Sequence, residues 1–441
     1  VKIFLIGAGQ VGTTIVQALH DEHELTVLDL DPARLAPLAN RYDVSTVEGN
    51  GASRRVLSEA GVASADLLIA CTSRDEANLV AAMIAKAVAP RTTTIVRTTN
   101  PEYLDVWREG QLDVDFIVSS EVETAHAIAR TIGVPAARLT DVFADGQVQL
   151  VEFDLEAGCD SGVLDVPLRE ARVPEDSKIA SIIRGDTMIL PGGSDELRIG
   201  DRIVVIGSPQ AAQEWGALIA PGAGKVKDVV VFGAGRAGTA IARQLLEQDI
   251  GVRLIETSRE RARNVADELP GARVYHSTGM DPDFLDRERI GDAQVAIFAM
   301  RDDMKNHYAA TLAKVHGIRF TVAVVHEAAA MEVLDRAGVD VMINPRAITA
   351  EEIVRFAHDP RTQQVAMLEG DRYEVLDITT RAGSEYAGKK FKEMPIRGGL
   401  IGAIVRDGTA IFPHGEDVLR AGDRAIIFTE SSRVKDVERA L

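Results

Sequence analysis

The sequence predicts an α/β protein built twice on one plan, a lobe with a helix-covered parallel sheet followed by a small α+β lobe. Three observations predict it. Lys2-Ile-Phe-Leu-Ile-Gly-Ala-Gly-Gln-Val-Gly12 recurs as Asp228-Val-Val-Val-Phe-Gly-Ala-Gly-Arg-Ala-Gly238, and Ala65-Asp-Leu-Leu-Ile-Ala70 recurs as Ala293-Gln-Val-Ala-Ile-Phe298. Late in each half, Leu197-Arg-Ile-Gly-Asp-Arg202 returns as Leu419-Arg-Ala-Gly-Asp-Arg424. Self-similarity over such a distance marks a repeat architecture. The third observation is that the hydrophobic pattern changes character partway through each half.

Up to about residue 135, short apolar runs alternate with helical patterns: Ile3 to Ile6, Glu24 to Leu28, Leu67 to Ala70, Thr94 to Val96 and Phe116 to Val118. Strands separated by helices predict parallel pairing under a helical cover. From 148 to 220, Val148 to Phe153, Thr187 to Leu190 and Arg202 to Ile206 lie between Gly, Asp and Pro turns, which suits a small α+β unit. The second half repeats the change with Tyr373 to Thr379, Leu400 to Arg406 and Arg424 to Phe428. Pro221-Gly-Ala-Gly224 reads as the turn or hinge between halves. Its Gly224-Lys225 is no phosphate loop, because Val226 stands where a Ser or Thr is required. The expected units are 1–135, 139–221, 226–358 and 363–441.

A chain of 441 residues exceeds one ordinary core, at roughly 150 residues per domain. Its 67 acidic and 49 basic residues leave a formal charge of −18. Phosphate backbones and anionic lipid attract Lys/Arg-rich surfaces, so neither a nucleic-acid partner nor charge-driven membrane adhesion is expected. No apolar run reaches the roughly 18 residues of a spanning helix. The chain opens on a buried-strand pattern, Val1 to Ile6, so no signal peptide is expected and a cytosolic location is. Cys71 and Cys159 offer neither a disulfide framework nor metal-ligand spacing. Each reads as a buried or incidental thiol; a reactive thiol is the alternative at Cys71, which ends a strand near the expected cleft.

Gly7-Ala8-Gly9-Gln10-Val11-Gly12 follows a strand and opens a helix, the context a Rossmann-type dinucleotide fingerprint requires. The first glycine permits the tight turn, the second lets backbone approach pyrophosphate, and the third lets helix pack on strand. The helix start then offers free N–H groups and a positive dipole end to phosphate. An acid is expected some 20 residues on, closing the second strand. Asp29 does this after Leu25 to Leu28, and Glu256 does it after Val252 to Ile255 in the second half, behind Gly233, Gly235, Arg236, Ala237 and Gly238. A carboxylate accepts from both ribose hydroxyls but repels a 2′-phosphate by roughly 4 kcal/mol at ~4 Å and an effective dielectric of ~20. NAD(H) or an adenine nucleotide, ATP or ADP, is therefore expected over NADP. Asp31 reads as the cap of a helix beginning at Pro32.

Together with Gly49-Asn-Gly-Ala-Ser53, Ala65-Asp66, Asp75-Glu-Ala-Asn-Leu79, Arg97-Thr-Thr-Asn-Pro101 and Gly338-Val-Asp-Val-Met-Ile-Asn-Pro345, these segments make the chain resemble the RCK/KTN regulatory proteins of bacterial potassium transport. The resemblance covers nearly the whole chain and implies an order of N-lobe, C-lobe, N-lobe, C-lobe. It implies a regulatory subunit that binds NAD(H), ATP or ADP, forms a homotetramer and docks on an integral-membrane potassium transporter subunit at the inner face of the membrane. It places phosphate on Gly7, Gly9 and Gly12, ribose on Asp29, and the adenine side on Asn50 and Gly51. Arg97 would reach toward phosphate, with a surface ion pair as the alternative. Thr72 and Ser73 would hydrogen-bond the ligand or cap the next helix.

Where relatives usually carry Gly-Asp this chain has Gly49-Asn50, and the second half has Ser277-Thr-Gly there, with Val324 in the place of Arg97. Weaker binding, or preference for another nucleotide, is expected in the second half, with Arg236 as partial compensation. The rival reading is an NAD-dependent oxidoreductase, which needs an acid/base pair at the nicotinamide. The nine histidines are scattered and no such pair is evident in the small lobes, so no catalytic or metal-binding residue is expected. A third reading keeps the fold and site but assigns a different ion channel or antiporter.

Overall fold

A strand covered by helices on both faces reads as a continuous apolar run. The first strand, β1 (Lys2–Ile6), is one, with every residue after Lys2 buried. The computed structural model describes residues 1–21, 23–185, 187–355, 362–368, 372–394 and 399–441. After β1 come α1 (Gln10–Leu19), β2 (Glu24–Asp29), α2 (Pro32–Arg41), β3 (Ser45–Glu48), α3 (Arg54–Glu59), β4 (Leu67–Ala70), α4 (Asp75–Val88), β5 (Thr93–Thr98), α5 (Pro101–Arg108), β6 (Phe116–Ser119) and α6 (Ser120–Gly133). The strands form one parallel sheet in the order β3-β2-β1-β4-β5-β6. The order reverses between β1 and β4, and the crevice beyond their carboxyl ends is where doubly wound sheets hold ligands.

The small lobe holds β7 (Ala137–Phe143), β8 (Val148–Asp154), β9 (Ser177–Arg184), β10 (Thr187–Ile189), β11 (Arg202–Gly207) and α7 (Pro209–Ile219). Its antiparallel sheet runs β10-β9-β11-β8-β7. Five strands stand where turn spacing marked three. One of the additions, β7, is an edge strand whose charged Arg138 and Asp141 break the apolar run.

The second half repeats both units. Its large lobe comprises β12 (Asp228–Phe232), α8 (Arg236–Glu247), β13 (Gly251–Glu256), α9 (Arg259–Glu268), β14 (Arg273–His276), α10 (Pro282–Arg287), β15 (Val295–Phe298), α11 (Asp303–Val315), β16 (Phe320–Val324), α12 (Ala328–Arg336), β17 (Val341–Ile343) and α13 (Pro345–Arg355). Then follow β18 (Thr362–Leu368), β19 (Tyr373–Thr379), β20 (Gly399–Arg406), β21 (Thr409–Ile411), β22 (Arg424–Glu430) and α14 (Val434–Ala440). The orders β14-β13-β12-β15-β16-β17 and β18-β19-β22-β20-β21 match the first half strand for strand. The expected division at 358–363 falls mostly on residues outside those described.

The repeated Arg-x-Gly-Asp-Arg motif is a structural clamp. The Asp201 carboxylate accepts from Arg184 Nε and Nη2, both at 2.7 Å, while Arg202 reaches Asp154 at 2.8 Å. In the second half, Asp423 accepts from Arg406 at 2.8 and 2.7 Å, and Arg424 reaches Asp377 at 3.1 Å. Gly200 and Gly422 turn the chain beside these pairs at φ +89° and +88°, a region glycine enters without a Cβ clash.

The two halves exchange helices. Helix α6 buries Ala125, Ile128 and Ile132 in a core with Ile241 and Leu245 of the second half. In return α13 buries Ala350, Ile353 and Val354 with Ile15 and Val16 of α1. A further core joins the small lobes, packing Val204 and Ile206 against Ala403 and Phe428. No helix among the described residues is long and apolar enough to cross a membrane.

Candidate nucleotide cleft

The glycine loop between β1 and α1 is shaped by contacts only glycine permits. Gly7 sits at φ +109°, and a Cβ on Gly12 would lie 1.9 Å from the Gly7 carbonyl oxygen. Helix α1 therefore starts directly against the strand end, with Gly9 as its N-cap and no side chain capping it. Its first N–H groups face the cleft, an arrangement suited to anions. Asp29 fastens the loop from β2: Oδ2 accepts from the Ala8 N–H at 2.6 Å and Oδ1 from the Asp31 N–H at 2.9 Å. Each oxygen keeps acceptor capacity for a ribose hydroxyl. Asp31 caps α2 by accepting from the Ala33 N–H at 3.0 Å.

Gly49 to Ala52, the stretch expected to face adenine, line the cleft wall next to Asp29. Gly51 lies so near β1 that a Cβ would meet Ile6 Cγ2 at 2.3 Å. Asn50 folds its side chain back, Oδ1 accepting from the Ala52 N–H at 2.9 Å. Opposite stand Thr72, Ser73 and Arg97. The Arg97 guanidinium donates to Thr72 O at 3.2 Å and to Ser120 Oγ at 3.0 Å. These are neutral partners, so the cation is aimed but not neutralised by them. Thr72 Oγ1 accepts from the Arg74 N–H at 3.2 Å, ahead of α4, and Ser73 is exposed in the cleft wall.

Gly7, Ala8, Gly9, Gln10, Val11, Asp29, Asn50, Gly51, Thr72, Ser73 and Arg97 thus line one cleft of about 1630 Å³, while Gly12 lies beneath its floor. The opposite wall comes from α6 and from the second half, including Met331, Asn344 and Arg346. Arg346 Nη1 hydrogen-bonds the Gln10 side chain and donates to His326 O at 2.7 Å.

The second loop repeats the floor, a Cβ on Gly238 falling 1.8 Å from the Gly233 carbonyl oxygen. Its pocket holds only about 310 Å³ and is lined by Gly233, Gly235 and Glu256 among others. Glu256 is crowded: Oε2 accepts from the Ala234 N–H at 2.9 Å, and Oε1 from the Ser258 N–H at 2.7 Å and from Arg261 at 2.9 Å. Burial alone would raise its pKa, but hydrogen bonds, that from Arg261 foremost, hold it at about 2. Arg236 lies outside this pocket and donates to Thr99 Oγ1 of the first half at 2.8 Å. Ala237 and Gly238 are likewise off its lining, and Val324 stands in the register position of Arg97.

Sequence reasoning missed three groups. Asn78 receives from the Thr72 N–H at 2.9 Å and donates to Arg97 O at 3.0 Å, tying the ends of β4 and β5; Asn306 makes the same ties to Met300 and Val324. Arg34 lines the first cleft, and Arg261, its counterpart in the repeat, holds Glu256. Both pairs recur at matching places in the halves, which was the available signal. Arg346 had none, since its role depends on the helix exchange. Burial pushes the Cys71 thiol up to about 12, and its Sγ lies 3.6 Å from Gly7 O, so it is a packing group and not a thiolate. Among the described residues no His/Cys/Asp/Glu group is arranged to hold a metal.

Two family descriptions each match the chain twice: the TrkA-N domain over 3–120 and 229–345, and the TrkA-C domain over 150–219 and 375–441. A Trk system potassium uptake protein TrkA homolog of Archaeoglobus fulgidus is 31% identical over 440 residues, 99% of this chain and 99% of its own. The Trk system potassium uptake protein TrkA of Azorhizobium caulinodans is 28% identical over 450 residues, 99% and 98% respectively. The GsuK RCK domain shares the fold with a TM-score of 0.60 at 19% identity, covering 100% of this chain and 94% of that one. The GsuK channel bound to NAD gives 0.60 at 18%, covering 100% and 78%. Sequence, repeat order and strand topology converge: the chain belongs to the TrkA family, whose two domains it carries twice in alternation.

Proposed function

We propose that the chain is a nucleotide-responsive regulatory subunit of Trk-type potassium uptake, and that it works by coupling ligand in the first cleft to the packing of its halves. One observation carries this reading: the glycine loop and Asp29 of the first half face a wall supplied by the second half. A ligand can shift a conformational equilibrium only by its differential affinity for the states. A cleft with walls from two bodies is where such a difference arises.

The potassium assignment rests on the relatives' names. The ligand class, NAD(H) or ATP/ADP, rests on the loop and carboxylate and is supported by the NAD bound in the GsuK channel of like fold. The partner is an integral-membrane transporter subunit, with the chain on its cytoplasmic side. A homotetramer is the expected assembly, and Met304, Tyr308 and Val315 of α11 stand exposed for contact between copies. Catalysis is not proposed: the relatives are named as potassium uptake proteins and not as enzymes.

A thermal-shift panel of NAD, NADH, NADP, ATP and ADP tests the reading, because a ligand bound only by the folded state raises the melting point with concentration. A rise with NADH or ATP and little with NADP is expected; no rise with any of the five refutes it. Light scattering should show an oligomer, and a strict monomer with and without nucleotide would refute the assembly.

A further inference from the structure

One arginine recurs in the two large lobes and is placed differently in each. Arg34 lies five residues beyond Asp29, and Arg261 five beyond Glu256, each in the first turn of the helix that follows the acid. In the second half the guanidinium turns back onto the acid: Arg261 Nη2 donates to Glu256 Oε1 at 2.9 Å. In the first half it turns away. Arg34 Nε lies 3.6 Å from Asp31 Oδ2, and its Nη1 comes within 3.9 Å of where a Cβ on Gly9 would stand, beside the glycine loop. Nothing lies within 4 Å of the same place on Gly235.

The difference traces to one position. Asp31 and Ser258 both cap their helices, Asp31 Oδ1 accepting from the Ala33 N–H at 3.0 Å and Ser258 Oγ from the Arg261 N–H at 3.3 Å. Either residue type caps well, but only Asp31 brings a second, charged oxygen to hold the arginine three residues on. Ser258 has no charge to offer, and Arg261 takes the carboxylate of Glu256 instead.

The consequence for a sugar is set by lone pairs. A carboxylate has about four acceptor sites over its two oxygens. Asp29 uses one on each, for the Ala8 and Asp31 N–H groups. Glu256 Oε1 alone receives three donors: the Ser258 N–H at 2.7 Å, Arg261 at 2.9 Å and Thr257 Oγ1 at 3.1 Å. Oε2 receives the Ala234 N–H at 2.9 Å. A ribose that needs both oxygens finds one of them full. The Glu256 side chain is 3% exposed and that of Arg261 58%, so the arginine covers the acid from the solvent side.

We propose that Arg261 is a latch on the sugar-binding acid of the second pocket, and that Asp31 against Ser258 decides which glycine loop accepts a nucleotide's ribose. This rests on the nucleotide-binding reading of the first cleft. The two loops then differ in use and not in build: the first takes ligand, while the second holds an internal cation on its acid.

Titration calorimetry of NADH on the full chain tests this, in an Asp29→Ala background that leaves the second pocket to report. Ser258→Asp, Arg261→Gln, and Ser258→Asp with Glu256→Ala are each added to it, after melting curves without nucleotide confirm folding. Ser258→Asp keeps the cap and supplies the missing carboxylate. It should raise NADH affinity about tenfold, the size of one charge-assisted hydrogen bond removed from competition. Arg261→Gln should do the same, and either variant carries the test if the other does not fold. Adding Glu256→Ala should cancel the gain, since the freed acid is what takes the sugar. Conversely, Asp31→Ser in the otherwise unchanged chain should weaken NADH at the first cleft severalfold, as Arg34 is released toward Asp29. No gain from Ser258→Asp, a gain that survives Glu256→Ala, or an Asp31→Ser chain that binds as wild type overturns the proposal. A merely structural Arg261 would lower the melting point of Arg261→Gln with no change in affinity, which overturns it too. A wild type that binds no nucleotide at all overturns the reading of the first cleft as well, so the two failures are distinguishable.

Discussion

Thr349 of the second half shares a hydrogen bond at 2.9 Å with the Ser120 hydroxyl of the first, and both side chains are buried. Ser120 also accepts from Arg97, so a cleft residue is positioned through a hydroxyl that the other half supports. The consequence is that the first site and the contact between halves are one structure.

Thr349→Val retains the branched shape and removes the hydroxyl. A buried hydrogen bond of this kind contributes about 1 kcal/mol. Urea denaturation should show a loss of that size, with weaker nucleotide binding following from a less constrained Arg97. A variant as stable as wild type would show that the bond contributes nothing.

Gly12→Ala would set a methyl 1.9 Å from the Gly7 carbonyl oxygen, an atom of the backbone that has no rotamer to escape through. Helix α1 must shift outward. A loss of about 1–3 kcal/mol is expected, with nucleotide affinity in the first cleft abolished while Gly9→Ala, where the nearest atom is 3.9 Å away, folds normally. Melting curves and calorimetry on the two variants check both halves of this expectation.

Glu121 gives a pH dependence with a definite sign. Burial at the interface between halves raises its carboxyl from 4.5 to about 7, against the opposing pull of Arg97 and Arg236, and its Oε2 has no hydrogen-bond partner. A raised folded-state pKa means the stabilisation is full below about 4.5 and is lost as pH rises through about 7. Glu121→Gln should flatten stability across that window and raise the melting point at pH 8. An unchanged pH profile would contradict the assignment.

How much of this was legible beforehand divides by the range of the interaction. Gly7, Gly12, Asp29 and Glu256 declare themselves through local turn geometry and a fixed interval along the chain, so their placement at the loops follows from sequence. The repeated Asp201 and Asp423 signal that something is shared, though not that each grips an arginine on a neighbouring strand. The exchange of α6 and α13 was not legible, because Ile128 and Ile353 make the same amphipathic pattern whichever half they pack on. Arg346 could not be found for the same reason. Arg236 shows the converse: its position in the loop motif points to the second pocket, yet its long side chain reaches Thr99 across the interface.

The contact between small lobes depends on Gly402, whose missing Cβ leaves room for Ile206; a Cβ there would lie 2.7 Å from Ile206 Cγ2 and 2.8 Å from its Cβ. Gly402→Ala should destabilise by about 1–3 kcal/mol. Combining it with Ile206→Ala should cost less than the two changes summed, as expected for residues in contact. Strict additivity in denaturant titrations would show that the two do not meet.

The central claim is that the first cleft, through its glycine loop and Asp29, is the principal nucleotide site. Titration calorimetry of NADH and ATP against Asp29→Ala and Glu256→Ala tests it most directly. Asp29 lines the roomy cleft, while Glu256 is already engaged by Arg261 in a pocket of about 310 Å³. Removing Asp29 should weaken binding at least about tenfold, and removing Glu256 by less than about threefold. An equal or greater loss from Glu256→Ala would contradict the account.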